Sequence, residues 1–478
     1  MTDELHIGDR IADLAAAHPE QVAIIVVGPR GEETAMTWSE LDQRANAAAR
    51  GLEQEGVRDD TVVGVALPPG FEHAVAVVGS WKLGATVVPL NPRAGERERR
   101  ALKAALGGPI IGTGTWADHT PAVLERQADP SPVPGRGRPR SATVSGGSTG
   151  MPRLVVRDRP WVFPGGEVLL LQDRLAGALP DQRQLVVLPL YHAGFSSMYK
   201  GLALDNVMVV LSHFRAELFF EAIQRHHIEY LRIVPSYMRM ALDAPDAESY
   251  DLSSVVSIHH GSAPCPGWVK RRWIELFGAE KIVEHYASTE RIGVVSIRGD
   301  EWLRHPGSVG RAELCDVRIL DDSGKDLPAG EVGMIYLRDW APRQPEYLGP
   351  GAPLPEQDGF RSVGDLGYLD EDGYLFLVDR KVNVINSGGI DVYPSEIEAT
   401  LLGHPEVVDA AVVGRPHKYL GNHLHGIVVP RDPDDPPSAD ELERFCRQAL
   451  TTAKVPLSFE MRASLGRTEA GKLRRSEL

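Results

Sequence analysis

The chain has 478 residues, 42% hydrophobic and 24% charged, and its 51 Lys and Arg against 66 Asp and Glu give a formal charge of −15. That length implies two or more domains, and the composition is that of a folded globular protein. The acidic balance excludes a general binder of nucleic acid or anionic membrane, which would present a basic face.

The first twenty residues are acidic and lack the basic and apolar regions of a signal peptide. No apolar run approaches a membrane span. Cys265, Cys315 and Cys446 are far apart in sequence, suggesting neither a disulfide framework nor a zinc site. A cytoplasmic protein with reduced thiols is the expectation.

In chain order, "TWSELDQRANAAARGLEQEG" predicts a capped helix ending at Gly56, followed by the strand "TVVGVALP", the helix "FEHAVAVVGSWKLG" and the strand "ATVVPL". "QADPSPVPGRGRPR" reads as an exposed, mobile connector. Buried strands recur at "QLVVLPL", "NVMVVLS", "IEYLRIVPS", "SVVSIHH" and "KIVEHYA". Strands alternating with helices predict parallel sheets covered on both faces. After Glu313 the pattern turns to hairpins, with turns at Ser323-Gly324 and Asp372-Gly373. Ser395 with Glu398, and Ser438 with Glu441, predict capping boxes on two late helices.

The stretch "SGGSTGMPR" is rich in glycine and hydroxyls but is no Walker loop, because Met151 and Pro152 follow Gly150. Its residues Ser145, Gly146, Gly147, Ser148, Thr149 and Gly150 lie between the predicted strands Ala142–Val144 and Leu154–Val156. Such a loop presents N–H and hydroxyl donors to an anion, and Arg153 supplies charge.

Further segments follow in order: "HYASTE", "SVGDLGYLDEDGYLFLVDR", "SGGIDVYPSEIE" and "GRTEAGKLRR", with "WKLGATVVPLNP" ahead of them. With them the chain resembles, over nearly its whole length, the adenylate-forming superfamily of acyl-CoA synthetases, peptide-synthetase adenylation domains and luciferases. The resemblance implies an α/β fold: a large N-terminal domain of doubly covered sheets plus a small barrel-like subdomain, then a small mobile α+β domain. The expected division is 1–379 and 380–478.

The resemblance also implies site residues. "SGGSTG" with Arg153 would hold the ATP phosphates. The turn from His260 through Gly261, Ser262, Ala263 and Pro264 would run along adenine, with Tyr286 stacked on it and Ala287 alongside. Thr289 would donate to the phosphates and Glu290 would bind Mg²⁺, a hard ion that takes oxygen ligands. Asp365 would accept from the ribose hydroxyls and Arg380 would contact the same sugar. Lys472 would bridge the substrate carboxylate and the α-phosphate, where two anions must approach. His192 would gate the acyl pocket, lined by Phe195, Tyr237, His260, His285 and Ser288. Gly388 and Gly389 would admit the pantetheine of coenzyme A.

The implied reaction joins a carboxylic acid to ATP as acyl-AMP, releasing pyrophosphate, and then transfers the acyl group to coenzyme A. The alternative acceptor is a carrier protein or an amine; no carrier segment follows Leu478, so a carrier would be a separate partner. A binding protein without catalysis is disfavoured by Thr289, Glu290, Asp365, Arg380 and Lys472, and nothing points to luciferase-like oxygenation. "YHAGFSSMY" lacks the aspartate that pairs with an α-ammonium, so the expected substrate is a bulky apolar acid without an α-amino group. Three positions depart from the family pattern: Arg153 stands for lysine, Val382 occupies the hinge position beside Lys381, and Asp391 stands near the phosphates.

Overall fold

The computed structural model describes residues 4–114, 117–120, 129–146, 152–157, 159–168, 174, 177–341, 346–348, 353–467, 473 and 475–478. Its architecture is the expected α/β one. A large sheet runs from Glu33–Thr37 at one edge through Val22–Val27, Val207–Leu211, Arg183–Val186, Tyr230–Ile233 and Ser257–Gly261 to Ile282–Ala287. From Val22–Val27 to Ile282–Ala287 the pairing is parallel. The sheet then continues antiparallel through Val294–Arg298 and Ser308–Glu313 into the hairpin region that ends with Leu375–Arg380.

A second sheet has the order Glu346–Leu348, Pro152–Val156, Arg140–Gly146, Thr86–Pro89, Val62–Ala66, Ile110–Gly112. One core joins the two sheets through helices Ile7–Ala17, Trp38–Gln54, Phe71–Lys82 and Ala193–Ala203. Helix Phe71–Lys82 is buried from His73 to Lys82, as its apolar composition on every face requires. Gly79 permits its contact with Trp38–Gln54, because a Cβ there would lie 2.9 Å from the Ala48 Cβ. Lys82 in this core is answered by Asp42 at 2.8 Å.

Thr37 and Glu40 form the capping box of helix Trp38–Gln54, each side chain accepting from the other's backbone N–H. The box expected at Ser395 and Glu398 is not formed. Pro394 opens that helix, so Ser395 falls inside the first turn; its hydroxyl donates to the Val378 carbonyl, and Glu398 accepts from Val412 N and Arg475. Tertiary partners have taken both side chains. Ser438 does cap its helix, accepting from Glu441 N at 3.3 Å.

The described part of the connector is mostly exposed, as expected, but several of its groups are anchored. Val133 is buried, its N–H donates to Asn46, and Gly135 N donates to Asp9 at 2.8 Å. Arg136 pairs with Glu53. Its prolines and glycines shape a segment strapped over the first core.

After Leu375–Arg380 a short 3₁₀ turn, Lys381–Asn383, leads into a five-stranded sheet beginning at Ile385–Ser387. Helices Pro394–Leu401 and Ala439–Ala449 pack on that sheet around Ile397, Leu401, Leu442 and Cys446. Asp379 spans the junction: its carboxylate accepts from Arg380 N, Asn383 and Ser395 N. Among the described residues no helix is long and apolar enough to cross a membrane, and the three cysteines are free.

Candidate active site

The carboxyl ends of adjacent parallel strands are where ligands bind open α/β sheets. Here Ser257–Gly261 and Ile282–Ala287 end side by side, with Gly261 level with His285. A Cβ on Gly261 would stand 2.4 Å from the His285 carbonyl, so that close approach needs glycine. Ser262 follows with φ +70°, turning Ala263 and Pro264 away from the sheet. Beyond Ala287, Ser288, Thr289 and Glu290 form a turn closed by Arg291 N donating to Ser288 O at 3.1 Å. The Ser288 hydroxyl is buried and has no partner among the described residues.

Tyr286, Asp365 and Arg380 come together. The Tyr286 hydroxyl donates to Asp365 Oδ2 at 2.7 Å, and Arg380 Nε donates to Oδ1 at 2.9 Å. Burial foremost, with the charge of Asp365 and this hydrogen bond, pushes the Tyr286 phenol above its ordinary range. It therefore stays protonated as a donor.

The "SGGSTG" segment begins on a hairpin strand, where Ser145 pairs with Arg153 and Gly146 with Pro152. Gly147, Ser148, Thr149 and Gly150 lie outside the described residues. Strand Glu346–Leu348 lies beside this hairpin, with Tyr347 opposite Val155. The Tyr347 hydroxyl is buried and unpartnered among the described residues. Burial raises its pKa, and the charge of Glu290 raises it further, while Arg153 and Arg361 oppose the shift. Tyr347 thus lies one strand away from Arg153.

A small cavity of about 80 Å³ opens at the strand ends, bordered by Leu188, Ala193, Arg232, His259, His285 and the Gly261–Ser262 turn. His260 and Ala287 also border it. His259 Nδ1 is bonded to His285 Nε2, and their rings stack at 4.6 Å. Burial lowers the pKa of His285 to about 4, with the charge of Arg232 adding to the effect. Burial first, then neighbouring positive charge, holds His259 and His260 well below the usual histidine range. All three imidazoles are neutral near pH 7. Of the predicted lining residues, His260 and His285 border this cavity.

The other predicted lining residues are elsewhere. Phe195 turns into the first core, 4.7 Å from the Tyr199 ring and 5.7 Å from Trp81. Helical spacing explains this, because Phe195 lies on the buried face of Ala193–Ala203. Tyr237 stacks on Phe214 at 4.4 Å. His192 precedes that same helix, with its ring 4.8 Å from Tyr191.

Lys472 lies outside the described residues; its neighbour Leu473 packs with Ala411, Ile427 and Leu465. Gly388 and Gly389, at φ +61° and +84°, form the two-residue turn between Ile385–Ser387 and Ile390–Val392. That hairpin geometry alone requires both glycines. Arg232, His259 and Tyr347 escaped the sequence reading. For Arg232 the signal was present: a charge within "YLRIV", a strand otherwise suited to burial on both faces.

A sequence profile described as AMP-binding enzyme matches residues 11–129 and 111–340, and one described as AMP-binding enzyme C-terminal domain matches 396–472. The chain belongs to the AMP-binding enzyme family. It is 28% identical over 475 residues to a sulfoacetate–CoA ligase of Cupriavidus necator, covering 93% of this chain and 92% of that protein. It is 29% identical to a feruloyl-CoA synthase of Amycolatopsis over 471 residues, covering 93% and 94%. Its fold matches that of o-succinylbenzoate CoA synthetase from Bacillus subtilis in complex with the acyl-adenylate intermediate. That match has a TM-score of 0.82 at 24% identity, over 99% of this chain and 98% of the other. In this AMP-binding enzyme, the profile matches cover the strands around the cavity and three strands of the five-stranded sheet.

Proposed function

We propose that the protein is an ATP-dependent carboxylate–CoA ligase. A substrate carboxylate oxygen attacks the α-phosphorus of ATP, the bond to the bridging oxygen breaks, and pyrophosphate leaves. The thiolate sulfur of coenzyme A, its proton lost to solvent, then attacks the acyl carbonyl carbon, and AMP departs with the acyl–oxygen bond. One observation carries this reading: Tyr286, on the strand that leads into the Thr289–Glu290 turn, and Arg380 converge on the carboxylate of Asp365.

In this reading Asp365 accepts from the ribose hydroxyls while Arg380 holds the carboxylate from its other side. Tyr286 presents its ring to adenine, and the Gly261–Ser262–Ala263–Pro264 turn supplies backbone beside it. Arg153, with Ser145 to Gly150, faces the phosphates, and Thr289 donates to them. Arginine keeps the charge of the family's lysine in a planar fork suited to phosphate oxygens. Glu290, which has no ion pair among the described residues, fits Mg²⁺ as a hard oxygen donor. When bound with ATP, Mg²⁺ would neutralise phosphate charge. The domain division at Asp379–Lys381, rotation of the C-terminal unit to present first Lys472 and then the Gly388–Gly389 turn, and a cytoplasmic setting complete the proposal.

The experiment is a pyrophosphate-release assay across carboxylic acids with ATP and Mg²⁺, followed by acceptor trials with coenzyme A, amines and carrier proteins. Release with carboxylic acids and a thioester with coenzyme A are the expected results. Release only with proteinogenic amino acids, or an amide as the sole product, would overturn the assignment.

A further inference from the structure

Resting on that reading, we propose that Arg232 makes the acyl cavity an anion-recognising one. The acid activated then carries a second anionic group, a carboxylate or sulfonate, at the end remote from the reacting carboxylate.

The argument begins with how this fold treats charge in its interior. Lys82 is paired with Asp42, and Lys270, 2% exposed, with Glu284. A buried charge without its partner is strongly destabilising, so the pairing is expected. Arg232 breaks the pattern. It is half-buried in a central parallel strand, flanked in register by Val186 and His259. Among the described residues it has neither a carboxylate nor a hydrogen-bond partner.

What surrounds it cannot neutralise it. His259 is level with it on the next strand and His285 borders the same cavity, and burial together with the guanidinium charge keeps both uncharged. His285 Nδ1 is itself buried and unpartnered among the described residues. The cavity therefore holds a cation and an open imidazole position facing a ligand-sized space. A carboxylate or sulfonate satisfies this set: the guanidinium fork binds two oxygens side by side. An ammonium on the substrate would be repelled, in keeping with the missing acidic residue after His192.

Register places Arg232 close to the nucleotide turn. Arg232 is level with His259, and Gly261 lies two residues further along the same strand, about 7 Å at the usual strand rise. The Gly261–Ser262 turn belongs to the nucleotide side. A short acid, with a few carbons between its two acidic groups, suits so small a cavity, about 80 Å³.

The test pairs each short diacid with its uncharged monoester: succinate, glutarate and adipate against their monomethyl esters, with sulfopropionate as the sulfonate arm. Pyrophosphate release and ligand-induced change in Tm are read for the wild type and for Arg232→Lys, Arg232→Gln and Arg232→Leu. The expected wild-type preference in kcat/KM is about a hundredfold for the dianion over its ester. It should shrink in Arg232→Lys and vanish in Arg232→Gln and Arg232→Leu, while KM for ATP stays within twofold. The carboxylate and sulfonate arms identify which anion is accepted. Equal wild-type turnover of diacid and ester would overturn the subsite and leave the ligase reading standing. So would an unchanged preference in Arg232→Gln. Arg232-dependent binding of a diacid by Tm, with no pyrophosphate released from any acid, would support the subsite and overturn the ligase reading. Absence of both binding and turnover with every dianion overturns the subsite whether or not the variants fold, because the wild type decides it.

Discussion

Tyr286 and Asp365 lie 79 residues apart in sequence, and their side chains meet at 2.7 Å. The contact joins the last parallel strand of the large sheet to the antiparallel region that follows, and Arg380 closes it from the other side. Asp365 thus has two donors fixing its orientation, with acceptor capacity remaining for a diol.

For the nucleotide site, Asp365→Ala should raise KM for ATP tenfold or more, and Tyr286→Phe only a few-fold, because the ring remains. Pyrophosphate-release kinetics at saturating acid measure both. An Asp365→Ala enzyme with ordinary ATP kinetics would remove Asp365 from the site.

The buried pair Lys270–Glu284, with the Lys270 ammonium 4.6 Å from the centre of the Trp302 ring, yields a stability prediction. Lys270→Met leaves a carboxylate uncompensated and should cost about 3–5 kcal/mol. The double variant Lys270→Met, Glu284→Leu should recover much of that, because neither charge is then buried. Urea unfolding decides between coupled and independent roles.

Acid should destabilise the protein over a defined window. His73 is 1% exposed, and burial lowers its pKa from 6.5 to about 3; His285 falls to about 4. For a histidine kept neutral, the unfolded chain takes up the proton first. Stability is then complete above about pH 6.5 and is lost as pH falls towards the folded value. At pH 5 the His73 share of that loss is about 2 kcal/mol. Tm should therefore drop between about pH 7 and pH 5, and less steeply in His73→Gln. A flat profile would contradict the buried neutral state.

The two half-reactions should separate. Lys472→Ala is expected to abolish acyl-AMP formation yet spare thioester formation from supplied acyl-AMP. A bulky residue at Gly389 should show the reverse pattern, with a folded-state check because φ +84° there disfavours a side chain. Val382, 76% exposed in the 3₁₀ turn Lys381–Asn383, should block the second step as Val382→Pro, since proline fixes φ where the chain must turn. Equal loss of both steps in the Lys472 and Gly389 variants would rule out alternation.

The sequence by itself determined the elements and their order. Apolar runs of strand length alternating with amphipathic helices can bury their surfaces only as covered parallel sheets, and short motifs such as "HYASTE" mark their own positions. Local chemistry also sufficed at Thr37–Glu40, where the cap depends on neighbours a few residues away. What depends on distant partners was decided by the tertiary structure. Ser395 and Glu398 have capping-box spacing, yet Val378, Val412 and Arg475 claim them. Phe195 follows His192 closely in sequence, but helix geometry points it into a core of Trp81 and Tyr199. The lone charge in "YLRIV" is legible as unusual, whereas its neutral surroundings are not, because the strand bearing His259 and His285's strand reach it only by pairing across the sheet.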